Sequence, residues 1–232
     1  MEWMDRARLY GGLVWVAVGA IFQLGWSLSG RATPGWISLV VCGAATLLAL
    51  AILLRRHPRI VWGLGWLTAV LLALELGGAV ADRFGVFGAP GEPGVSWGSW
   101  DGFVAYTAEL LPGFARPWVV AAAVLATVTE VVLSVLLLIG VQRRWVGKAA
   151  AGLLAVYAVA MTWALGLDAM AVYALPTLVG GALLVSACPA RLTPAARARS
   201  GALHPVRTAA AGPRPLAPPE RPGSGRRLSP GR

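Results

Sequence analysis

Charged side chains are scarce in this sequence. Asp, Glu, Lys and Arg make up 13% of its 232 residues, whereas hydrophobic residues make up 57%. An ordinary soluble domain has about 25% charged residues. The composition therefore excludes an ordinary soluble globular domain and predicts an integral membrane protein in contact with a lipid bilayer.

Histidine and cysteine are also rare. The two histidines, His57 and His204, lie outside every long apolar run. This excludes haem ligation by intramembrane histidines and a histidine-based copper site. The two cysteines, Cys42 and Cys188, form no C-x-x-C motif, so nothing indicates a disulfide framework or an iron–sulfur cluster. We expect no metal site.

The sequence also lacks nucleotide-binding motifs and features that indicate nucleic-acid binding. No G-x-x-x-x-G-K-[ST] or G-x-G-x-x-G sequence precedes a predicted helix, so we expect no cofactor held by the chain itself. The net charge is +10, but residues 189–232 contain nine arginines and one glutamate. The positive charge therefore belongs mainly to this tail and does not indicate a nucleic-acid partner.

Long apolar runs make up most of the remaining chain. About 20 apolar residues suffice to cross a hydrocarbon core about 30 Å thick. We predict six transmembrane helices in an all-α protein, over residues 9–28, 35–54, 60–81, 117–141, 149–166 and 169–188. A cleaved signal peptide is the alternative for the first run, but its apolar core would be only about 7–15 residues long.

Basic residues alternate between the connecting segments and predict the orientation. With the N-terminus inside, the inner segments hold Arg6, Arg8, Arg55, Arg56, Arg59, Arg143, Arg144 and Lys148. The outer segments hold Arg31, Arg83 and Arg116. Basic residues favour the cytoplasmic side. We therefore predict a multi-pass protein of the cell membrane with both termini cytoplasmic and the loop 82–116 outside.

The loop 82–116 contains an amphipathic stretch. Ser99 can cap a helix whose first turn has Asp101, favourable at the positive end of the helix dipole. Trp100, Phe103, Val104, Thr107, Leu110 and Leu111 would share one face of that helix. This predicts a short helix at the outer interface or a lid on the bundle. The alternative is a plain re-entry helix without a binding role.

The tail, residues 189–232, is rich in Pro, Ala, Gly, Ser and Arg. It has too little apolar surface to form a core, so we predict that it is disordered and cytoplasmic. Its arginines either contact anionic lipid or only determine the topology.

Two glutamates lie inside predicted spans, where ionisable groups are expensive. Glu75 lies roughly 9 Å below the outer end of the third span and Glu130 roughly 18–20 Å below the outer end of the fourth, so direct contact is not expected. Each is either a functional group, for proton handling or for a quinone-like ligand, or a neutral carboxyl hydrogen-bonded between helices. For Arg83 we predict a carboxylate partner, either Asp82 or Glu109, with Glu130 deeper.

Several short motifs between residues 62 and 188 are similar to the DoxX family of bacterial four-helix membrane proteins. They are Asp82-Arg83-Phe84-Gly85, Val95-Ser96-Trp97-Gly98, Phe103-Val-Ala-Tyr106-Thr107, Ala126-Thr127-x-x-Glu130 and Gly152-Leu-Leu. The last span departs from the family, with only Val172-Tyr173-Ala174-Leu175 in place of its Tyr-Ser-Val-Phe-type run. The resemblance implies a four-helix core over residues 60–188, with residues 1–59 as an additional N-terminal hairpin.

Two functions of different kinds are open, and the resemblance implies only the first. One is an accessory subunit of a quinone-linked membrane oxidoreductase, working with a diffusible quinone and a soluble or membrane redox partner. The other is a non-catalytic membrane scaffold or a small-solute permeation protein. The candidate ligand-binding residues are Asp82, Arg83, Trp97, Tyr106, Thr127 and Glu130, with Glu75 as a secondary candidate. The oligomeric state is open.

Overall fold

The computed structural model describes residues 2–30 and 35–188, with side chains from residue 6 onward. Within these ranges the chain is helical and contains no strand. The helices are α1 (Glu2–Leu28), α2 (Trp36–Leu53), α3 (Pro58–Arg83), α4 (Trp100–Leu110), a 3-10 helix (Gly113–Trp118), α5 (Val119–Ile139), α6 (Arg143–Leu165), α7 (Leu167–Val172) and α8 (Leu175–Ala187). The predicted disordered tail lies outside the described residues.

Five helical segments are long and apolar enough to cross a membrane. They are Arg6–Leu28, Trp36–Leu53, Pro58–Arg83, Gly113–Ile139 and Arg143–Leu165. Many large apolar side chains on them point away from the protein, for example Leu125 at 68% exposure and Trp163 at 85%. A lipid bilayer can cover these side chains, whereas water would not. The predicted class, an all-helical membrane protein, is confirmed.

The predicted last span, 169–188, is not one continuous helix. It is divided between α7 and α8, with Ala174 between them in the left-handed region (φ 50°). The physical reason is Pro176, which has no N–H to continue the helix from α7 but suits the first turn of a new one. At 13 residues, α8 is about 20 Å long.

The N-terminal helix packs closely and antiparallel against α8. A Cβ atom added at Gly12 would lie 2.7 Å from Leu184 Cδ2, and one added at Gly19 would collide with Thr177. Between these two pairs, Val16 lies against Gly180. Small residues therefore let the two backbones approach each other, as is common between membrane helices. The predicted N-terminal hairpin is in direct contact with the last helix of the predicted bundle.

The centre of the protein is a continuous apolar core between α3, α5, α6 and α8. Leu72, Leu137, Leu154 and Leu178 are almost completely buried in it. Ser134 of α5 donates a hydrogen bond to the Ala73 carbonyl of α3 at 2.7 Å, which fixes the relative height of these helices.

The turn between α5 and α6 is shorter than predicted. The sequence interpretation placed a basic turn over 142–148, but α6 already begins at Arg143. Gly140 (φ 69°) and Gln142 (φ 42°) reverse the chain in left-handed conformations. The reversal therefore needs only these few residues, and Arg143, Arg144 and Lys148 become part of the helix.

Candidate functional site

Arg83 is the centre of a buried polar cluster at the end of α3. Its side chain is 2% exposed. Side chains tilt toward the N-terminus of their helix, so the long guanidinium stem runs back into the bundle. Nη1 donates to Thr127 Oγ1 at 2.8 Å, and Nη2 donates to Glu130 Oε1 at 2.8 Å. Nη2 also lies 2.7 Å from Glu130 Oε2, so the two residues form a buried ion pair.

This pairing corrects the predicted partner of Arg83. Neither Asp82 nor Glu109 is its carboxylate partner; Glu130 of α5 is. The prediction was wrong because it kept the guanidinium at the mouth of the bundle, whereas the side chain points down to the level of Glu130. Glu130 is 1% exposed and also accepts a hydrogen bond from the Tyr157 hydroxyl of α6. Arg83 and Glu130 thus join α3, α5 and α6.

Asp82 holds the outer loop instead. Its Oδ2 accepts hydrogen bonds from the backbone N–H groups of Ser96, at 3.1 Å, and Trp97, at 2.8 Å. Two N–H donors to one carboxylate oxygen stabilise its negative charge in a residue that is only 4% exposed. Asp82 and Arg83 are neighbours in sequence but have different tasks: one holds the loop and the other joins the helices.

Aromatic rings cover the guanidinium of Arg83. Its Cζ lies 3.7 Å from the ring centroid of Phe103 and 5.2 Å from that of Trp97. The Trp97 ring is in turn 5.2 Å from Phe103 in an edge-on arrangement and 5.8 Å from Tyr106. Cations are attracted to ring faces, so these rings stabilise the buried charge. We call the three rings of Trp97, Phe103 and Tyr106 the aromatic roof.

The roof is presented by the helix that the sequence predicted. Ser99 Oγ accepts from Gly102 N at 3.1 Å, as expected for an N-cap, and α4 follows from Trp100. Phe103 and Thr107 are buried on its inner face. Because α4 packs on α5 and α6, it corresponds to the lid alternative. Burial, assisted by the nearby Tyr173 and Glu109, raises the pKa of Tyr106, which keeps its phenol neutral and able to donate a hydrogen bond.

One glycine is needed to close the loop under the roof. Gly98 has φ 63°, and a Cβ added there would lie 2.5 Å from Pro90 N. A side chain at this position would face both a strained backbone and a collision. Gly98 therefore lets the loop fold back on itself next to Trp97.

The structure brings all six primary candidates, Asp82, Arg83, Trp97, Tyr106, Thr127 and Glu130, into one cluster. It places the secondary candidate, Glu75, elsewhere: Glu75 Oε1 accepts from Ser38 Oγ of α2 at 2.7 Å. The two glutamates therefore belong to separate clusters, as their different depths suggested.

Two residues of the cluster were not among the candidates. Tyr157 was overlooked, although a tyrosine hydroxyl in the middle of the apolar fifth span was a usable signal. Phe103 was assigned only to a helix face, because cation–π contact depends on how the loop returns to α3. Neither contact follows from spacing along the chain.

The cluster leaves one donor and one acceptor with neither a hydrogen bond nor an ion pair; Glu130 Oε2, which also accepts no hydrogen bond, lies in the ion pair with Arg83. Arg83 Nε and Asp82 Oδ1 are both buried, and neither has a hydrogen-bond partner. Unpaired buried polar atoms are costly, so a ligand that satisfies both would be bound favourably. A carbonyl oxygen could accept from Arg83 Nε, and a hydroxyl could donate to Asp82 Oδ1. Among the described residues, no group of three or more His, Cys, Asp or Glu could hold a metal ion.

The chain matches no protein-family model, no curated protein and no solved structure.

Proposed function

We propose that this protein is an accessory integral subunit of a quinone-linked membrane oxidoreductase, and that it binds the quinone headgroup under the aromatic roof. The observation that supports this proposal is the open pair, Arg83 Nε and Asp82 Oδ1. A quinone presents carbonyl oxygens to a donor, and a quinol presents hydroxyls to an acceptor. The rings of Trp97 and Phe103 suit stacking on a flat, conjugated headgroup.

In this proposal the chain binds and positions the quinone, and electrons come from or go to a redox partner. The partner is a soluble or membrane protein with its own redox centre, since we expect no cofactor held by this chain. Quinone reduction consumes protons as well as electrons. Glu130 and Tyr157, which share a hydrogen bond, are the groups suited to relay a proton to the bound headgroup.

Entry of a ligand requires movement of the lid. Both open atoms are fully covered, so the headgroup must displace α4 and the loop before it. The loop is held by Asp82 through two backbone hydrogen bonds and is otherwise rich in glycine. Breaking a few such contacts is a small cost compared with unfolding a span.

The same proposal includes the finer membrane arrangement. We propose six crossings in the cell membrane, with α7 and α8 together as the sixth, a four-helix core of α3, α5, α6 and α7–α8, and both termini cytoplasmic. The register of α8 against α1 supports this, since Gly12 to Gly19 of a spanning helix run alongside Leu184 to Thr177. The motif resemblance to the DoxX family agrees with such a core.

Quinone co-purification tests the binding proposal. Lipids extracted from the detergent-purified protein are analysed by chromatography and mass spectrometry. We expect quinone in stoichiometric amount with the unaltered protein, and a loss of at least about tenfold with Arg83→Lys, because lysine keeps the charge but has no Nε donor in a planar fork. Arg116→Lys, at an exposed arginine of the same outer segment, is the matched control. Equal quinone content in the Arg83 variant and the control would refute the proposal.

A second candidate, a non-catalytic membrane scaffold, is favoured by one observation. Arg83 and Glu130 are 2% and 1% exposed and already satisfy each other's charge. In that case the cluster only fastens the lid to the bundle. No quinone would co-purify, and the variants would lower thermal stability without any effect of added quinone.

A further inference from the structure

The first turn of α6 contains a buried arginine without a counter-charge. Arg143 is 1% exposed, and none of its three side-chain nitrogens has a hydrogen-bond partner. No Asp or Glu in the described part of the chain pairs with it. Its Cζ lies 4.5 Å from the ring centroid of Trp66 of α3. A guanidinium stays protonated when it is buried, so its charge and its five N–H donors suit an anion with several acceptor atoms.

Helix packing places this guanidinium at one end of the bundle. α6 packs closely on α8, since a Cβ atom added at Gly147 would lie 2.9 Å from Ser186 N. Arg143 is one turn before Gly147 and therefore faces the point where α8 ends, at Ala187. Its side chain leans back over the preceding turn, where a Cβ atom added at Gly140 would lie 3.5 Å from Arg143 Nε. The guanidinium thus lies between α3, the α5–α6 turn and the end of α8.

The N-terminus of α6 also favours an anion. Its N-cap residue, Gln142, is in a left-handed conformation and provides no side-chain cap, and the first turn has no acidic residue. The first N–H groups of a helix have no partner within the helix and lie at the positive end of its dipole. Such an end binds phosphate groups. Arg143 adds a buried positive charge to this end of α6.

Three further basic residues lie around this end of α6. Arg144 follows Arg143 directly, and Lys148 is one turn further along the same helix. Arg8 of α1 donates to the Ser186 carbonyl at 3.2 Å, which brings it beside α6. It lies close enough to Arg144 and Lys148 for their charges to repel one another. The gathered positive charge favours a negatively charged ligand.

Trp145 indicates the height of this region in the membrane. It is 63% exposed in the first turn of α6, and indole rings favour the headgroup zone. Lys148 Nζ lies 4.2 Å from its ring centroid. Phospholipid phosphates are at the same level, and basic pockets between membrane helices bind anionic headgroups. The planar fork of an arginine matches two phosphate oxygens at once.

From these observations we propose that the N-terminal end of α6 binds the phosphate of an anionic phospholipid of the adjacent leaflet, with Arg143 as the principal ligand. The basic residues around it are Arg8, Arg144 and Lys148. Arg143 lies at the edge of the bundle, so rotation of its long stem brings the guanidinium to the headgroup without displacing a helix. The site is at the opposite end of α3 from Arg83 and does not depend on the proposed quinone site.

Thermal unfolding of the full chain tests the site after exchange into fresh detergent to remove native lipid. Dilauroyl phosphatidylglycerol, dilauroylglycerol and inorganic phosphate are compared at equal ionic strength and fixed pH. Dilauroylglycerol has the same acyl chains but no phosphate. We expect phosphatidylglycerol alone to raise the unfolding midpoint, by about 5 °C at saturation. An equal rise with inorganic phosphate would show that the site takes free phosphate, which would overturn the assignment to a lipid.

Arg143→Met separates this site from general attraction to a basic surface. We expect the variant to lose the rise with phosphatidylglycerol, whereas Arg56→Met, at an exposed arginine of the same end of the bundle, should keep it. Without phospholipid, Arg143→Met should be no less stable than the unaltered protein, because it removes an unpaired buried charge. An equal rise in Arg143→Met, or no rise in the unaltered protein, would overturn the proposal. So would an equal loss of stability in Arg143→Met with and without lipid, since Arg143 would then serve only the packing on Trp66.

A second measurement does not depend on the folding of a variant. Native mass spectrometry of the unaltered protein counts the lipids that remain bound in detergent. We expect about one phosphatidylglycerol per chain, with an affinity at least about tenfold higher than that of dilauroylglycerol, because the charged hydrogen bonds to phosphate are absent in the latter. Equal binding of the two lipids would contradict a phosphate site.

Discussion

At the scale of single residues, the Arg83–Glu130 pair places two opposite charges in the interior of the protein. Both side chains are almost fully buried, and each would be very costly alone. The hydration that these two charges lose is replaced by contacts with Thr127, Tyr157 and the ring of Phe103. The free energy of unfolding should fall strongly when one partner of such a pair is lost and much less when both are lost, because the penalty comes from the uncompensated charge.

Glu130→Leu should therefore lower the free energy of unfolding by about 3–5 kcal/mol, since it leaves Arg83 buried without a counter-charge. Glu130→Gln should cost less, about 1–3 kcal/mol, because the amide oxygen can still accept from Arg83 and Tyr157. Thermal or denaturant unfolding in detergent measures both.

The double replacement of Arg83 by Met and Glu130 by Leu completes this test. It removes both charges, and we expect it to recover most of the stability lost in Glu130→Leu. If the double variant loses as much free energy of unfolding as Arg83→Met and Glu130→Leu lose together, the two residues are not coupled as the structure shows.

Asp82 provides a second prediction at this scale. Asp82→Ala removes the acceptor for the Ser96 and Trp97 N–H groups, so these two amides should lose most of their protection from hydrogen exchange. Asp101→Ala, at an exposed aspartate in the first turn of α4, is the matched control and should leave both amides protected. Unchanged exchange in Asp82→Ala would show that the loop is held by other contacts.

The sequence identified these residues better than it identified their partners. Aspartate, arginine and glutamate in apolar surroundings are visible as exceptions, and all six candidates lie in one cluster. The partner of Arg83 was predicted wrongly. The prediction favoured carboxylates that are closer to Arg83 along the chain, whereas the observed partner, Glu130, is 47 positions away. Contacts of that range depend on helix register, which no local pattern specifies.

At the scale of helices, apolar run length predicted six spans, of which five are long helices whose observed ends differ from the predicted ends by at most seven residues. The last span was the exception, since Pro176 lies within an unbroken apolar run. Hydropathy responds to side-chain polarity, whereas the helix is broken by a missing backbone N–H. The break therefore had to be deduced from proline chemistry and not from hydrophobicity.

The packing of α1 on α8 predicts the effect of a larger side chain at their contact. Gly19→Leu would place side-chain atoms inside Thr177, so it should separate the two helices and lower the unfolding temperature by several degrees. Gly25→Leu is the control: the same helix has open space at that position, and its stability should change little. Equal effects of both variants would argue against the α1–α8 contact.

At the scale of the whole molecule, the hairpin and the bundle share one interior. Two apolar clusters meet at α8, one formed with α3, α5 and α6 and the other with α1 and α2. The resemblance to a four-helix family suggested that the hairpin is an addition. Its contacts with α8 indicate that removing residues 1–59 would expose α8 and destabilise the remainder.

The crossing number and orientation provide the last prediction. In a background in which Cys42 and Cys188 are replaced by alanine, single cysteines are introduced at Ser96, Gln142 and Ser200, and intact cells are treated with a membrane-impermeant maleimide. Basic residues at the inner ends favour the cytoplasm. We therefore expect labelling at position 96 and protection at position 142 until the cells are permeabilised. Position 200 distinguishes six crossings from five: if α7 and α8 together span the bilayer, the tail is inside and protected. Labelling at position 200 together with position 96 would mean that α8 turns back without crossing, and labelling at position 142 alone would reverse the entire orientation.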